Sequence, residues 1–465
     1  MSIRIKFCGG VRTVTGSNHL VETDKSQILL DAGIFYGHRD EYYAVNSKFS
    51  YNPAKINGLV LSHAHIDHSG NIPTLIKRGL HCKVFTTKAT KDLCRLMLSD
   101  SGKIQEEDIE FVNKINRRKN LPARKPLYTE KEALRALKNF RGISYFEKIR
   151  LSKDVECTFF DAGHILGSAL TLLEIKEKQR KLKLGYIVDL GRPNLPLLND
   201  PVILKDLDYL VIESTYGNRF HPSIEEAKAK LMVSVNQTIA RGGKVIIPSF
   251  ALERTQEVLF FLNELIKENK LPSIPIYLDS PLAINITEVF RHHKDYLDKK
   301  TQGLFNKGID PFPEERITYI KKVEESKRLN KDASPMIIIA GSGMCESGRI
   351  LHHLKNNISN PKNTILVVGY MAQNTLGKRI VEKEPVVRIF GEDYELKAEV
   401  SIINAFSGHA DKDDLLNYVR SSNGNLKKIF IVHGDLDQSE AFTANLKDSG
   451  FAAYLPQKDE ECELE

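Results

Sequence analysis

Cysteine is scarce in this chain and never closely paired. The six cysteines (Cys8, Cys82, Cys94, Cys157, Cys345 and Cys462) are scattered over 465 residues, with no CxxC among them. That spacing speaks against a thiolate metal site and against a disulfide framework. The thiols read as reduced, mostly buried residues of an intracellular protein. No run of about 18 apolar residues occurs, so a membrane-spanning helix is excluded. The stretch Met1-Ser2-Ile3-Arg4-Ile5-Lys6-Phe7 alternates like a strand and lacks the apolar core of a signal peptide. Internal repeats and low-complexity segments are also missing. These absences lead us to expect a soluble, cytoplasmic protein with no membrane partner.

What is present is ample material for folding. With 41% apolar and 27% charged residues, the chain has enough for large cores, and its length suggests two or three domains. A formal charge of +7 is mildly basic. It suits a polyanionic substrate but selects none by itself. The most basic stretch, Arg117-Arg118-Lys119 to Arg124-Lys125, reads as a solvated, proline-punctuated linker.

One stretch stands apart. His63-Ala64-His65-Ile66-Asp67-His68 follows the apolar Leu59-Val60-Leu61, giving three imidazoles and a carboxylate within six residues. Folding does not require that density, whereas divalent zinc prefers such N and O ligands when thiolates are absent. Residues two apart at a strand end point the same way, so His63 and His65 can reach one metal. After the turn, Asp67 and His68 can face a second. Two metals about 3.5–4 Å apart are the usual arrangement for activating water against phosphate esters.

The texture of the chain changes twice. Residues 1–215 carry short β-branched runs at Gln27 to Asp31, Lys83 to Thr87, Val155 to Asp161, Leu170 to Ile175, Leu184 to Asp189 and Tyr209 to Glu213, with helical patterns at about 70–80, 88–99, 105–118 and 129–140. Residues 216–395 alternate longer helices (223–241, 251–269) with strands Lys244 to Pro248, Ile274 to Leu278, Met336 to Ala340 and Thr364 to Val368, which predicts a parallel sheet. Over 396–465 the first texture returns, with strand Glu399 to Ala405, helix 411–421, strand Lys428 to Val432 and helix 438–449. Lys458 to Glu465 reads as a short polar tail.

Six runs end in a polar residue followed by small ones: Leu30-Asp31-Ala-Gly, Asp161-Ala-Gly-His164, Val188-Asp189-Leu-Gly, Ile212-Glu213-Ser-Thr, Ser407-Gly-His409-Ala-Asp411 and Val432-His433-Gly-Asp435. Polar residues at strand ends lie along a sheet edge, where ligands gather and small neighbours permit close approach. With the HxHxDH run, Gly9-Gly10, Val14-Thr15-Gly16-Ser17, Glu213-Ser-Thr-Tyr-Gly-Asn218-Arg219, Gly341-Ser342-Gly343-Met344 and Gly369-Tyr370 through Gly377, this set resembles the metallo-β-lactamase fold. It is similar, in particular, to the β-CASP branch of RNA-processing nucleases. The resemblance runs from residue 3 to 450, with the motifs in order.

That resemblance implies an α/β protein: an αββα sandwich with an inserted β-CASP domain of mainly parallel sheet. It implies two zinc ions per chain, one held by His63, His65 and His164 and the other by Asp67, His68 and His433, with Asp189 bridging. Asp31 would orient a histidine ligand. His409, oriented by Glu213, would be the general acid, and Asp67 counts among the catalytic residues as well as the ligands. Substrate contacts would come from Ser407, Arg254, Ser342 and Gly343. The partner would be single-stranded RNA, cut by hydrolysis without a nucleotide cofactor, and a homodimer is among the assemblies allowed. We expect neither the KH modules of many archaeal members nor the long C-terminal extension of others.

A DNA-processing nuclease of the same branch is the nearest alternative; those relatives tend to carry an apolar residue where this chain has His433. A thioester or lactam hydrolase has no evident use for Glu213 and His409. An inactive RNA-binding scaffold would have lost ligands that are all filled here. Arg254 reads equally well as a salt-bridge residue, and Gly341-Ser342-Gly343 as a tight turn or a phosphate cradle. His292-His293 and His352-His353 read as helix-surface residues. Tyr36, Tyr42, Tyr43 and Phe49 suit either base stacking or a partly buried loop.

Overall fold

The computed structural model describes residues 3–37, 39–177, 180–403, 406–422 and 426–465. They form two compact units, Met1–Phe220 with Gly408–Glu465, and His221–Ser407.

In the first unit, alternation of apolar and polar residues builds two sheets of seven strands. In strand Ile3–Gly9, for example, Ile3, Ile5 and Phe7 are buried while Arg4 and Lys6 are only partly so. The first sheet runs in the order Glu461–Leu464, Ile3–Gly9, Asn18–Glu22, Gln27–Leu30, Gly58–Val60, Val84–Thr87, Phe140–Ile143. The second runs Ala453–Tyr454, Lys428–Val432, Tyr209–Glu213, Arg180–Ile187, Ala169–Glu177, Val155–Asp161, Lys148–Arg150. Ile5, Phe7, Val21 and Leu30 of the first sheet meet Phe159, Leu173, Tyr186, Val211 and Phe430 of the second in one core. Helices Lys412–Ser421 and Leu436–Asp448 cover the far face of the second sheet through Leu415, Tyr418, Phe442 and Leu446. Helix Lys88–Arg118 packs on strands Val84–Thr87 and Phe140–Ile143 of the first. The layering is helix, sheet, sheet, helix.

The second unit carries a six-stranded sheet, Ile317–Tyr319, Ile276–Leu278, Ile337–Ala340, Val245–Pro248, Thr364–Val367, Glu399–Ile402, with every pairing parallel. Parallel pairing follows from the helices between the strands, such as Ile224–Ala240, capped by Ser223, and Arg254–Lys267.

Three sequence expectations need correction. The two helices expected at 88–99 and 105–118 are one, because Gly102 does not break it. Gly102 instead lets the backbone at Thr129 and Glu130 approach, and a Cβ there would lie 2.7 Å from the Glu130 amide. The expected polar tail contains strand Glu461–Leu464, antiparallel to Ile3–Lys6, with Leu464 buried in the sandwich core. Glu399–Ile402 does not rejoin the first texture but pairs with Thr364–Val367; the expected end of that strand, Asn404 and Ala405, lies outside the described residues. Among the described residues no helix is long and apolar enough to cross a membrane.

Candidate metal centre

Strand ends in the first unit deliver the polar side chains. Asp31 follows strand Gln27–Leu30, Asp189 lies just past Arg180–Ile187, and His433 follows Lys428–Val432. All three take positive φ, at 58°, 51° and 46° respectively. L-residues occupy that region at a cost of order 1–3 kcal/mol each, which the surrounding packing must offset. The small residues after them allow the loops to close: a Cβ on Gly33 would lie 1.5 Å from the Asp67 carbonyl oxygen, and one on Gly191 would lie 2.1 Å from that of Gly163. The HxHxDH run starts at the end of Gly58–Val60 and turns at His65 into a short helix, Ile66–Ser69, that carries Asp67 and His68.

Two donor groups result. In the first, His65 Nδ1 lies 3.0 Å from His63 Nε2 and 3.3 Å from His164 Nε2. Asp189 Oδ2 stands 3.3 Å from both His63 Nε2 and His164 Nε2. In the second, Asp189 Oδ1 is 3.2 Å from His68 Nε2 and 3.3 Å from His433 Nε2, while Asp67 Oδ2 is 3.9 Å from each of those nitrogens. One carboxylate thus faces both groups, one oxygen to each.

These distances fit metal ligation. Donors bound tetrahedrally at 2.0–2.1 Å are separated by about 3.3 Å. In the second group hydrogen bonding does not account for the closeness of His68 Nε2 and Asp189 Oδ1, because both atoms are buried and make no hydrogen bond. Burial holds His63 and His164 well below the ordinary histidine range and His433 down to about 3, so these imidazoles stay neutral and able to donate a lone pair.

Behind these donors lies a fully buried support. Asp31 Oδ2 accepts from His68 Nδ1 at 2.7 Å, from Ser62 Oγ at 2.8 Å and from Tyr186 Oη at 2.9 Å. Its Oδ1 accepts from the Ser62 amide at 2.7 Å. Ser62 Oγ is also 3.0 Å from His63 Nδ1. Sequence reasoning found Asp31 but missed Ser62 and Tyr186. The available signals were a serine directly before His63 and one tyrosine among the inward aliphatic positions of Arg180–Ile187.

Beside the clusters, His409 Nδ1 lies 3.0 Å and 3.2 Å from the two oxygens of Glu213. Glu213 is fully buried, and its Oε1 accepts from the Leu190 amide at 2.5 Å. Burial pulls the His409 pKa down, but the Glu213 carboxylate and its hydrogen bond, together with the Asp189 and Asp67 carboxylates, outweigh that and push it up to about 9. The ring packs 4.5 Å, centre to centre, from that of His164.

The remaining expected site residues lie in the second unit. Arg254 is largely buried, 2.5 Å from Glu257 and with its guanidinium 5.7 Å from the Phe406 ring centre. Ser342 lies in a turn ahead of helix Arg349–Asn357. Its amide already donates to the Ser347 carbonyl, and its hydroxyl accepts from the Glu346 and Ser347 amides. Gly343 lies under the Phe250 ring, where a Cβ would sit 2.6 Å from it. Ser407 is half-buried. His352 is exposed, but His353, expected on a helix surface, is fully buried, 2.7 Å from Asp279 and 2.9 Å from Asn330.

Three family profiles match the chain: the metallo-β-lactamase superfamily over residues 12–84, a β-CASP domain over 255–380, and a zinc-dependent metallo-hydrolase RNA specificity domain over 393–456. The chain is 34% identical to a ribonuclease of Thermus thermophilus, over 93% of each. It is 32% identical to an RNase J-like protein of Methanocaldococcus jannaschii, over 96% of this chain and 95% of that one. With the transcription termination factor FttA of Methanosarcina mazei it shares 31% identity, over 93% of this chain and 67% of the factor. A solved structure of a protein of unknown function from Enterococcus faecalis aligns over the whole of both chains with a TM-score of 0.58 at 13% identity, a likeness of fold alone.

Proposed function

The chain belongs to the β-CASP branch of the metallo-β-lactamase superfamily, and from that premise we propose that it is a two-zinc ribonuclease acting on single-stranded RNA. The observation that carries this reading is the pair of donor groups that Asp189 faces with one oxygen each, with a histidine–carboxylate pair beside them. His63, His65 and His164 would hold one zinc, Asp67, His68 and His433 the other, with Asp189 serving both. When bound, such a pair supplies Lewis-acid stabilisation of charge on a phosphate and lowers the pKa of water.

The protein's own groups supply orientation and a proton. Asp31 fixes the ring of His68 through Nδ1 and leaves Nε2 for the metal. Glu213 holds the His409 ring by Nδ1 and keeps it protonated, so the transferable proton sits on Nε2. Given to the departing ribose oxygen, that proton spares the formation of a free alkoxide. The relatives named as ribonuclease and RNase J-like support RNA as the substrate.

The test is cleavage of 5′-labelled single-stranded RNA and of DNA of matched sequence by the zinc-loaded protein, with 5′-monophosphate and 5′-triphosphate ends compared. RNA should be cut and DNA spared. Faster cleavage of double-stranded DNA under matched conditions would overturn the reading.

A further inference from the structure

Between the metal-bearing loop and the tip of the long helix lies a row of aromatic rings with no part in the chemistry above. Backbone pairing of Ile34 with Ile66 at 3.0 Å sets the start of this row beside the Asp67 loop. Tyr36 is 53% exposed. Its ring centre is 6.3 Å from that of Tyr42, which is 5.2 Å from that of Tyr43. The Arg124 guanidinium lies 5.8 Å from the Tyr43 ring centre.

Both ends of the row are built rather than loosely draped. Asn46 is buried and makes three hydrogen bonds of 2.8 Å, to the Phe35 amide, the Phe35 carbonyl and the Tyr42 carbonyl. Asn71 donates to the Asn46 carbonyl at 3.1 Å. At the far end, the Asn113 side chain clamps the backbone of Arg124, accepting from its amide at 2.8 Å and donating to its carbonyl at 3.0 Å. Preorganised rings need little further ordering when they bind. Arg117 and Arg118 in the last turn of the long helix, and Lys125 next to Arg124 in the chain, add positive charge, offset in part by Glu107 and Glu110 near Asn113.

We propose that Tyr36, Tyr42, Tyr43 and Arg124 form a stacking track for the single strand of RNA flanking the scissile bond. This rests on the ribonuclease reading and adds to it the surface that carries RNA away from the metals. Every base offers a π-face to tyrosine, and a guanidinium at the end of the row serves both base and phosphate. The track therefore favours long single strands without selecting a sequence.

The experiment compares oligouridylates of about 5 and about 15 nucleotides, the range over which a short track fills. Binding is read by fluorescence anisotropy and cleavage by kcat/KM, in the parent, Tyr43→Ala, Tyr43→Phe and Arg124→Ala. In the parent the longer RNA should bind and cleave better. Tyr43→Ala should reduce the long-over-short ratio by about 5- to 160-fold, the usual worth of one base–aromatic stack, and Tyr43→Phe should restore it. Arg124→Ala should flatten the salt dependence of long-RNA binding, lowering the slope of log K against log salt by about 0.7. Unchanged ratios in Tyr43→Ala, or loss of the ratio in Tyr43→Phe as well, would overturn the track. A parent that binds long RNA through these residues but cuts neither length would sink the ribonuclease reading instead.

Discussion

His409 Nδ1 stands 3.0 Å from a carboxylate oxygen of Glu213, a fully buried residue anchored by the Leu190 amide. The pairing sets the proton affinity of the imidazole. Burial alone would lower its pKa, but Glu213 foremost, with the Asp189 and Asp67 carboxylates, raises it to about 9. A general acid works while protonated, so kcat should fall as pH rises through that value, or somewhat below it once bound cations add positive charge nearby. Glu213→Gln removes the charge but keeps the shape. Its alkaline limb should move to lower pH, as a pH–rate profile would reveal; an unmoved limb would remove Glu213 from that role.

Asp31 touches no donor atom assigned to a metal, yet it receives His68, Ser62 and Tyr186 together. Asp31→Ala should leave the seven donors in place but unaligned, weakening zinc affinity by about 10–100-fold. Chelator competition measures this directly. Affinity equal to the parent's would make the carboxylate a fold-stabilising group only.

The edge strand Glu461–Leu464 gives a prediction far from the chemistry. Leu464 is 1% exposed and joins the core between the two sheets. Leu464→Ala should cost about 2–5 kcal/mol, the ordinary price of a buried leucine cut to alanine, visible as a lower urea midpoint for the first unit. No shift would return this segment to a solvated tail.

What the sequence made legible was the chemistry at strand ends. Asp31, Asp189 and His433 each follow an apolar run, and small residues behind them mark the close packing that Gly33 and Gly191 then show. Support from distant strands was not legible. Tyr186 reaches Asp31 only because the second sheet lies over the first, and no local pattern encodes that approach. His353 looked like a surface residue since its partner Asp279 follows a different strand. Gly102 looked like a helix breaker because its role is to admit another backbone, not to turn its own. Glu461-Cys462-Glu463-Leu464 hid its strand character behind charge, because in so short an edge strand only Cys462 and Leu464 turn to the core.

The most direct test is the zinc content per chain of the parent, His65→Ala and His409→Ala, measured by elemental analysis after removal of loosely bound metal. His65 Nδ1 belongs to the first donor group, whereas His409 is committed to Glu213. The parent should hold two equivalents. His65→Ala should lose at least one of them together with activity. His409→Ala should keep both while cleavage falls by about 10²–10⁴-fold, the usual worth of a general acid. A parent near zero that stays active after exhaustive chelation, or a His409→Ala protein that loses an equivalent, would contradict the division of these residues into ligands and proton donor.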